Sequence, residues 1–232
     1  MKETIVTLPV TEVFEQRDGC PLCTLRDLLE ERTLDVIMGA AMMEPDVRLQ
    51  TNRKGFCEPH YRKMLGWNNR LALALMLETH LDEILQVAFP KKRPLIPPPY
   101  QKQAEKAKKI IGSCYVCDRI HHSYDRMLTT VVIQWGDHKA FRALFSEQPE
   151  LCLPHWTELI EAGQKQLTKS TFPAFAEAAT ALAEKTARRL RADLADFSKL
   201  FDYRTDPEAA SSKRVRLAPD RAIGFLTARK KG

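Results

Sequence analysis

The chain has 232 residues, 44% of them hydrophobic and 28% charged, with only nine glycines. That is enough apolar material for a core in one large domain or two small ones, and the abundance of Ala, Leu, Glu, Lys and Arg favours helix. A formal net charge of +6 is mildly basic, and no run of about 18 apolar residues is present to cross a membrane.

In chain order, Met1-Lys-Glu-Thr-Ile-Val-Thr7 lacks the apolar centre of a secretory signal, so the cytoplasm is the expected compartment. Next comes Cys20-Pro-Leu-Cys23, preceded by Gly19. Two cysteines at this spacing turn both sulfurs toward one point in a tight knuckle, and an adjacent glycine tolerates the backbone angles involved. Leu25, Leu28, Leu29, Val36 and Ile37 then follow the spacing of one helix face. Glu44-Pro-Asp46-Val-Arg48 reads as a turn leading into a short helical or extended segment. Gly55-Phe-Cys57-Glu-Pro-His60-Tyr61 carries a Cys-x-x-His cluster suited to the first turn of a helix, where the missing N–H of Pro59 costs nothing. A longer helical segment follows, with Met64, Leu65, Leu71, Leu75, Leu81, Ile84 and Leu85 as its apolar stripe and a bend expected between Gly66 and Asn69.

Five prolines between Phe89 and Tyr100 interrupt any regular element and read as an extended spacer. Beyond it the punctuation recurs: Cys114-Tyr-Val-Cys117 after Gly112, an apolar face of Ile120, Tyr124, Met127, Leu128 and Val131, then Cys152-Leu-Pro-His155-Trp156. The second Cys of each opening pair precedes the next Cys by 34 positions in one half and 35 in the other. Such agreement points to an internal duplication. A long helix is expected over Phe175–Phe201, with Leu182, Leu190, Leu194, Phe197 and Phe201 inward, and Pro219 suits the first turn of a short closing helix carrying Ile223 and Leu226. The expected organisation is all-α. It comprises a first repeat over 1–89, a proline linker over 90–100, a second repeat over 101–170, a long helix within 171–203 and a basic tail with a short helix over 204–232.

The four clusters use every cysteine and supply Cys₃His twice, one of the closed ligand sets of structural zinc. Two zinc ions per chain are therefore expected, on Cys20, Cys23, Cys57 and His60 and on Cys114, Cys117, Cys152 and His155. The matched spacings favour pairing within each repeat; interlocked halves would instead join each Cys-x-x-Cys to the other half's Cys-x-x-His. Structural disulfides are rare in the cytoplasm, an iron–sulfur cluster explains duplicated tetrads less simply, and no βαβ pattern supports thioredoxin-like chemistry. Four ligands per ion leave no open position for hydrolysis. His121 and His122 read as exposed or capping residues, and Glu78, Asp82 and Glu83 as a solvated helix face rather than an acid/base pair. Phosphate-binding loops, nucleophile elbows and His-Glu-x-x-His are absent.

Cys20-Pro-Leu-Cys23, Met43-Glu-Pro-Asp-Val-Arg48, Lys54-Gly-Phe-Cys57 with His60, Leu71 to His80, the second cysteine set and Phe201-Asp-Tyr-Arg204 together resemble an uncharacterised bacterial family defined only as a domain of unknown function. The resemblance covers nearly the whole chain and implies a bacterial, cytoplasmic, helical protein; it carries no activity over. The family's tail has an acidic Ser-Lys-Asp element, whereas here Arg214 follows Ser212-Lys213. The expected function is a non-enzymatic zinc-stabilised scaffold for a protein partner. The alternatives are nucleic-acid binding through the basic run at Lys91–Arg93 and the tail after Lys213, and a thiol-based redox or metal sensor.

Overall fold

The computed structural model describes residues 7–89, 100–201 and 212–228. Among them it contains twelve α-helices, one 3-10 turn and no strand, so the chain is all-α as its composition predicts. Residues 1–6, residues 90–99 with the Lys91–Arg93 run, residues 202–203 at the end of the expected long-helix segment, and residues 204–211 and 229–232 of the expected tail lie outside the described residues. No helix among the described residues is long and apolar enough to cross a membrane.

The helices are α1 (Thr7–Gln16), α2 (Pro21–Met38), α3 (Pro45–Lys54), α4 (Glu58–Leu65), α5 (Arg70–Ala88), α6 (Tyr100–Ile111), α7 (Tyr115–Asp137), α8 (Lys139–Ser146), α9 (Leu153–Gln166), α10 (Phe172–Lys199), α11 (Lys213–Arg216) and α12 (Ala218–Thr227), with the 3-10 turn at Ala40–Met43. Proline punctuates this pattern at helix starts. Pro45, Pro59, Pro154 and Pro219 each occupy one of the first two helical positions, where no amide partner is lost. The bend expected after Leu65 is a full break. Gly66 ends α4, and Asn69 starts α5 by accepting from the Ala72 amide at 3.1 Å.

The chain divides into two compact units, Met1–Asp27 with Tyr124–Gly232, and Leu28–Ser123. The divisions fall inside α2 and α7 rather than at the proline segment. In the first unit Phe14, Phe141, Phe145 and Phe175 are fully buried, with ring centroids 5.0 Å apart for Phe14–Phe141 and 5.9 Å for Phe145–Phe175. Trp135 meets Phe175 edge-on at 5.2 Å. There α10 packs on α9, α11 and α12. The second unit builds its core from Leu34, Ile37, Met38, Met64, Leu73, Met76 and Val116.

Several expected inward faces differ. On α5 the buried residues are Ala72, Leu73, Met76, His80 and Ala88, while Leu71, Leu81 and Leu85 are exposed, as is Leu65 on α4. The break after Leu65 restarts the helical phase, so a stripe drawn through it rotates off the core. Val36 is exposed beside buried Ile37, and Phe201, at 78% exposure, lies beyond the end of α10. Ile223 and Leu226 of α12 are exposed too; Ala218 of α12 and Val215 of α11 are the buried residues there.

Candidate metal centres

Each of the four Cys clusters begins a helix. Cys20 immediately precedes α2 and Cys114 immediately precedes α7, with Cys23 and Cys117 in the first turns. The expected Cys-x-x-Cys knuckles are therefore helix N-termini, with left-handed Gly19 (φ 71°) supplying the sharp entry to the first. Cys57 and Cys152 are the N-caps of α4 and α9, and His60 and His155 follow in the same turns. Helix N-termini carry partial positive charge and lower the cost of a thiolate, so two converge on each cluster to the same electrostatic end.

The expected within-repeat pairing is overturned. All eight residues come together, but as Cys20, Cys23, Cys152 and His155 in the first unit and Cys57, His60, Cys114 and Cys117 in the second. After Cys23 and Cys117 the chain runs on through α2 and α7, a helix separates its ends, and the helices that follow, α3 and α8, are shorter than the ones before them. Local contacts secure the exchanged pairing. In the second unit the Tyr115 amide donates to the Gly55 carbonyl at 3.0 Å, Ser113 Oγ donates to the Lys54 carbonyl at 2.8 Å, and Lys54 pairs with Asp118 at 2.6 Å. In the first, buried Gln148 donates to the Phe14 carbonyl at 2.7 Å, and Arg17 pairs with Glu147.

The four ligand atoms of each set lie within 4.8 Å of one another. In the first centre Cys152 Sγ is 3.7 Å from Cys20 Sγ and 3.8 Å from Cys23 Sγ. His155 Nδ1 is 3.4 Å from both Cys20 and Cys23 and 3.0 Å from Cys152. The second centre repeats this: Cys57 to Cys117 is 3.8 Å, and His60 Nδ1 is 3.0, 3.3 and 3.5 Å from Cys57, Cys114 and Cys117. A tetrahedral ion with metal–sulfur bonds of about 2.3 Å sets sulfurs about 3.8 Å apart and sulfur to nitrogen about 3.6 Å apart. These three sulfur edges match, and the nitrogen edges, at 3.0–3.5 Å, are shorter. A disulfide requires about 2.05 Å, so none of the six cysteines is in a disulfide.

Without a cation these groups compete for protons. Burial pushes the Cys20 thiol up, but hydrogen bonds with Cys152, Cys23 and His155 outweigh it and hold Cys20 well below the usual thiol value. Cys152 is raised by those same bonds to Cys20 and Cys23 and by burial. In the second centre burial raises Cys114 and the His60 hydrogen bond lowers it, the balance falling at about 6. Burial and the neighbouring Cys114 push Cys117 to about 12. Burial opposes the charged form of His60, yet Cys114 and Glu30 raise it to about 10. Three thiolates cannot coexist at this spacing unaided, and a divalent cation removes the conflict. The donor sets fit a metal ion.

Both histidines present Nδ1 to the sulfurs and turn Nε2 away. Glu30 of α2 receives His60 Nε2 at 2.9 Å and Lys63 at 2.8 Å. The His60 hydrogen bond, aided by Lys63 against burial, holds the Glu30 carboxyl down at about 2. In the first centre Glu158 stands 3.9 Å from fully buried His155 Nε2, too far for a hydrogen bond. Glu158 accepts instead from Tyr124 Oη at 2.6 Å, and Arg26 lies 4.8 Å over the Tyr124 ring. A carboxylate placed as Glu30 is orients a ligating histidine. Sequence reasoning missed Glu30, Tyr124 and Glu158, although the signal is readable. Glu158 follows His155 by one helical turn, and Glu30 and Tyr124 each lie seven residues after the second Cys of an opening pair. His121 and His122, exposed on α7, belong to neither set, and the Glu78–Glu83 face forms no metal-ligand group.

The chain belongs to a family of unknown function, DUF6062, whose model matches residues 1–232. No curated protein and no solved structure matches the chain.

Proposed function

We propose that the protein is a non-enzymatic helical scaffold in which each unit is held by one structural zinc ion and whose surface binds another protein. The observation that carries this reading is the completeness of the two tetrads. Each supplies three cysteine sulfurs and one histidine nitrogen within 4.8 Å of one another, close enough to share one ion. Cys₃His is a closed zinc set with no open position for water or substrate. Zinc satisfies the four donors with one ion, and ligand atoms all within 4.8 Å of one another suit a single ion, whereas a 4Fe–4S cluster places each protein ligand on a different iron and spreads them farther apart. In such a site Cys20, Cys23, Cys152 and His155 tie the starts of α2 and α9, and Cys57, His60, Cys114 and Cys117 tie the starts of α4 and α7.

The protein-binding part rests on α5. Leu71, Leu81 and Leu85, exposed by 68, 55 and 52%, share an outward side with Ala74 and Glu78. These positions recur at three- and four-residue intervals, the arrangement by which a helix anchors in a partner's groove. The test compares wild type with Leu81→Asp/Leu85→Asp. The double variant is expected to keep two zinc ions and full helicity while losing an interaction that wild type shows. A variant that binds every wild-type partner equally well contradicts this surface. Loss of neither zinc nor folding in His60→Ala and His155→Ala contradicts the scaffold itself.

A further inference from the structure

The two centres differ in one respect that their matched ligands do not explain. In the first unit all four ligands are buried: Cys20 at 8%, Cys23 at 6%, Cys152 at 4% and His155 at 0% exposure. A cavity of about 550 Å³ borders that centre and includes these three cysteines in its wall, yet they stay nearly inaccessible. In the second unit His60 and Cys114 are equally buried, but Cys57 is half-buried and Cys117 is exposed to solvent. The start of α2 buries Cys20 and Cys23 alike, whereas the start of α7 leaves Cys117 exposed.

The geometry points to Cys117 as a site of oxidation by peroxide, with Cys57 as the resolving thiolate, so that the second centre releases its ion while the first keeps its own. This rests on the zinc reading above. Thiolate oxidation follows ionisation and access. Coordination keeps all six sulfurs as thiolates, which leaves access to choose between them. The Cys117 sulfur gives an electron pair to one peroxide oxygen; the S–O bond forms, the O–O bond breaks, and the departing hydroxide takes a proton to become water. The Cys57 sulfur, 3.8 Å away, then attacks the sulfenic sulfur. The S–S bond forms and the S–O bond breaks, releasing a second hydroxide that is also protonated. Two thiolates have lost two electrons, one peroxide has gained them, and two protons have been consumed. Forming the bond brings the sulfurs from 3.8 Å to about 2.05 Å. His60 and Cys114 are the two ligands that remain, half of the original set.

The experiment uses the full zinc-loaded chain and hydrogen peroxide. Released zinc is followed with a chromogenic chelator, and disulfides are mapped by mass spectrometry. The expected result is release of one of two zinc ions at roughly one equivalent of peroxide, appearance of a Cys57–Cys117 disulfide, and unmodified Cys20, Cys23 and Cys152. Reductant with added zinc restores the starting state. Parallel loss of both ions, oxidation of Cys20, Cys23 or Cys152 first, or retention of both ions with Cys117 unmodified would each overturn the inference. These outcomes leave the scaffold reading standing, because the protein begins with two zinc ions; a preparation that binds no zinc defeats both.

Discussion

Replacing Gly55 by alanine tests how the second centre is held open. Gly55 ends α3 with φ 60° and ψ −155°, a region almost confined to glycine, and its carbonyl receives the Tyr115 amide beside Cys114. A Cβ there would lie 2.4 Å from His80 Nε2 and 2.7 Å from Cε1. His80 is 8% exposed and its Nδ1 is 2.6 Å from the Asn52 carbonyl, so the ring cannot swing aside without losing that bond. The backbone strain costs about 1–3 kcal/mol, and overpacking against the ring about 1–3 kcal/mol more. Gly55→Ala is therefore expected to lose roughly 4 kcal/mol in guanidinium unfolding followed by circular dichroism. It should also weaken zinc at Cys57, His60, Cys114 and Cys117 while leaving the other centre loaded. Gly55→Ala/His80→Ala relieves the clash but not the strain, giving a favourable coupling of about 1–3 kcal/mol in a double-mutant cycle. Stability of Gly55→Ala within about 0.5 kcal/mol of wild type would refute the reasoning.

Three further outcomes follow from the same geometry. His60 is raised to about 10 and Cys117 to about 12, so both hold protons at pH 7 in the metal-free protein, and zinc entering this centre must expel at least two. The logarithm of its affinity should then rise by about two per pH unit between pH 7 and 9, read by chelator competition; a slope below one contradicts the assignment. Glu30→Gln removes the carboxylate that orients His60, and zinc affinity at that centre should fall about 10- to 100-fold. Because the Glu30 carboxyl is lowered to about 2, its contribution is complete above the unfolded value of 4.5 and is lost as pH falls through about 2. The variant should lack that part of the acid-side loss in pH-dependent unfolding, and an unchanged acid limb would count against it. Asp193, fully buried on α10, receives Arg221 at 3.0 Å and has Arg214 at 2.7 Å from Oδ1, off hydrogen-bond alignment. Asp193→Asn should loosen α11 and α12 by about 1–3 kcal/mol, discounted because Arg214 is 60% exposed. Hydrogen exchange in α12 should quicken about 5- to 150-fold, and unchanged protection would remove the role given to this pair.

Which residues gather into the two Cys/His clusters was legible in the sequence, because Cys-x-x-Cys and Cys-x-x-His are local patterns, each completed within one helical turn. Ligand partnership was not, because spacing along the chain does not record direction. The 34 or 35 positions would allow a return if they held two helices of equal length, but α3 and α8 are shorter than α2 and α7, and each opening pair instead meets the Cys-x-x-His of the other half. The same limit explains α5. A three-and-four pattern marks Leu71, Leu81 and Leu85 as clearly as Leu73 and Met76, and only the break at Gly66–Asn69 decides which side turns inward. Arg214 lies against Asp193, a contact no spacing rule suggests.

Metal analysis with X-ray absorption on the reduced protein, purified without added metal, addresses the central claim most directly. Two zinc ions per chain are expected, each with three sulfurs at about 2.3 Å and one nitrogen at about 2.0–2.1 Å. Iron in place of zinc, fewer than two ions, or an oxygen ligand marking an open coordination position would contradict a scaffold held by two closed Cys₃His centres.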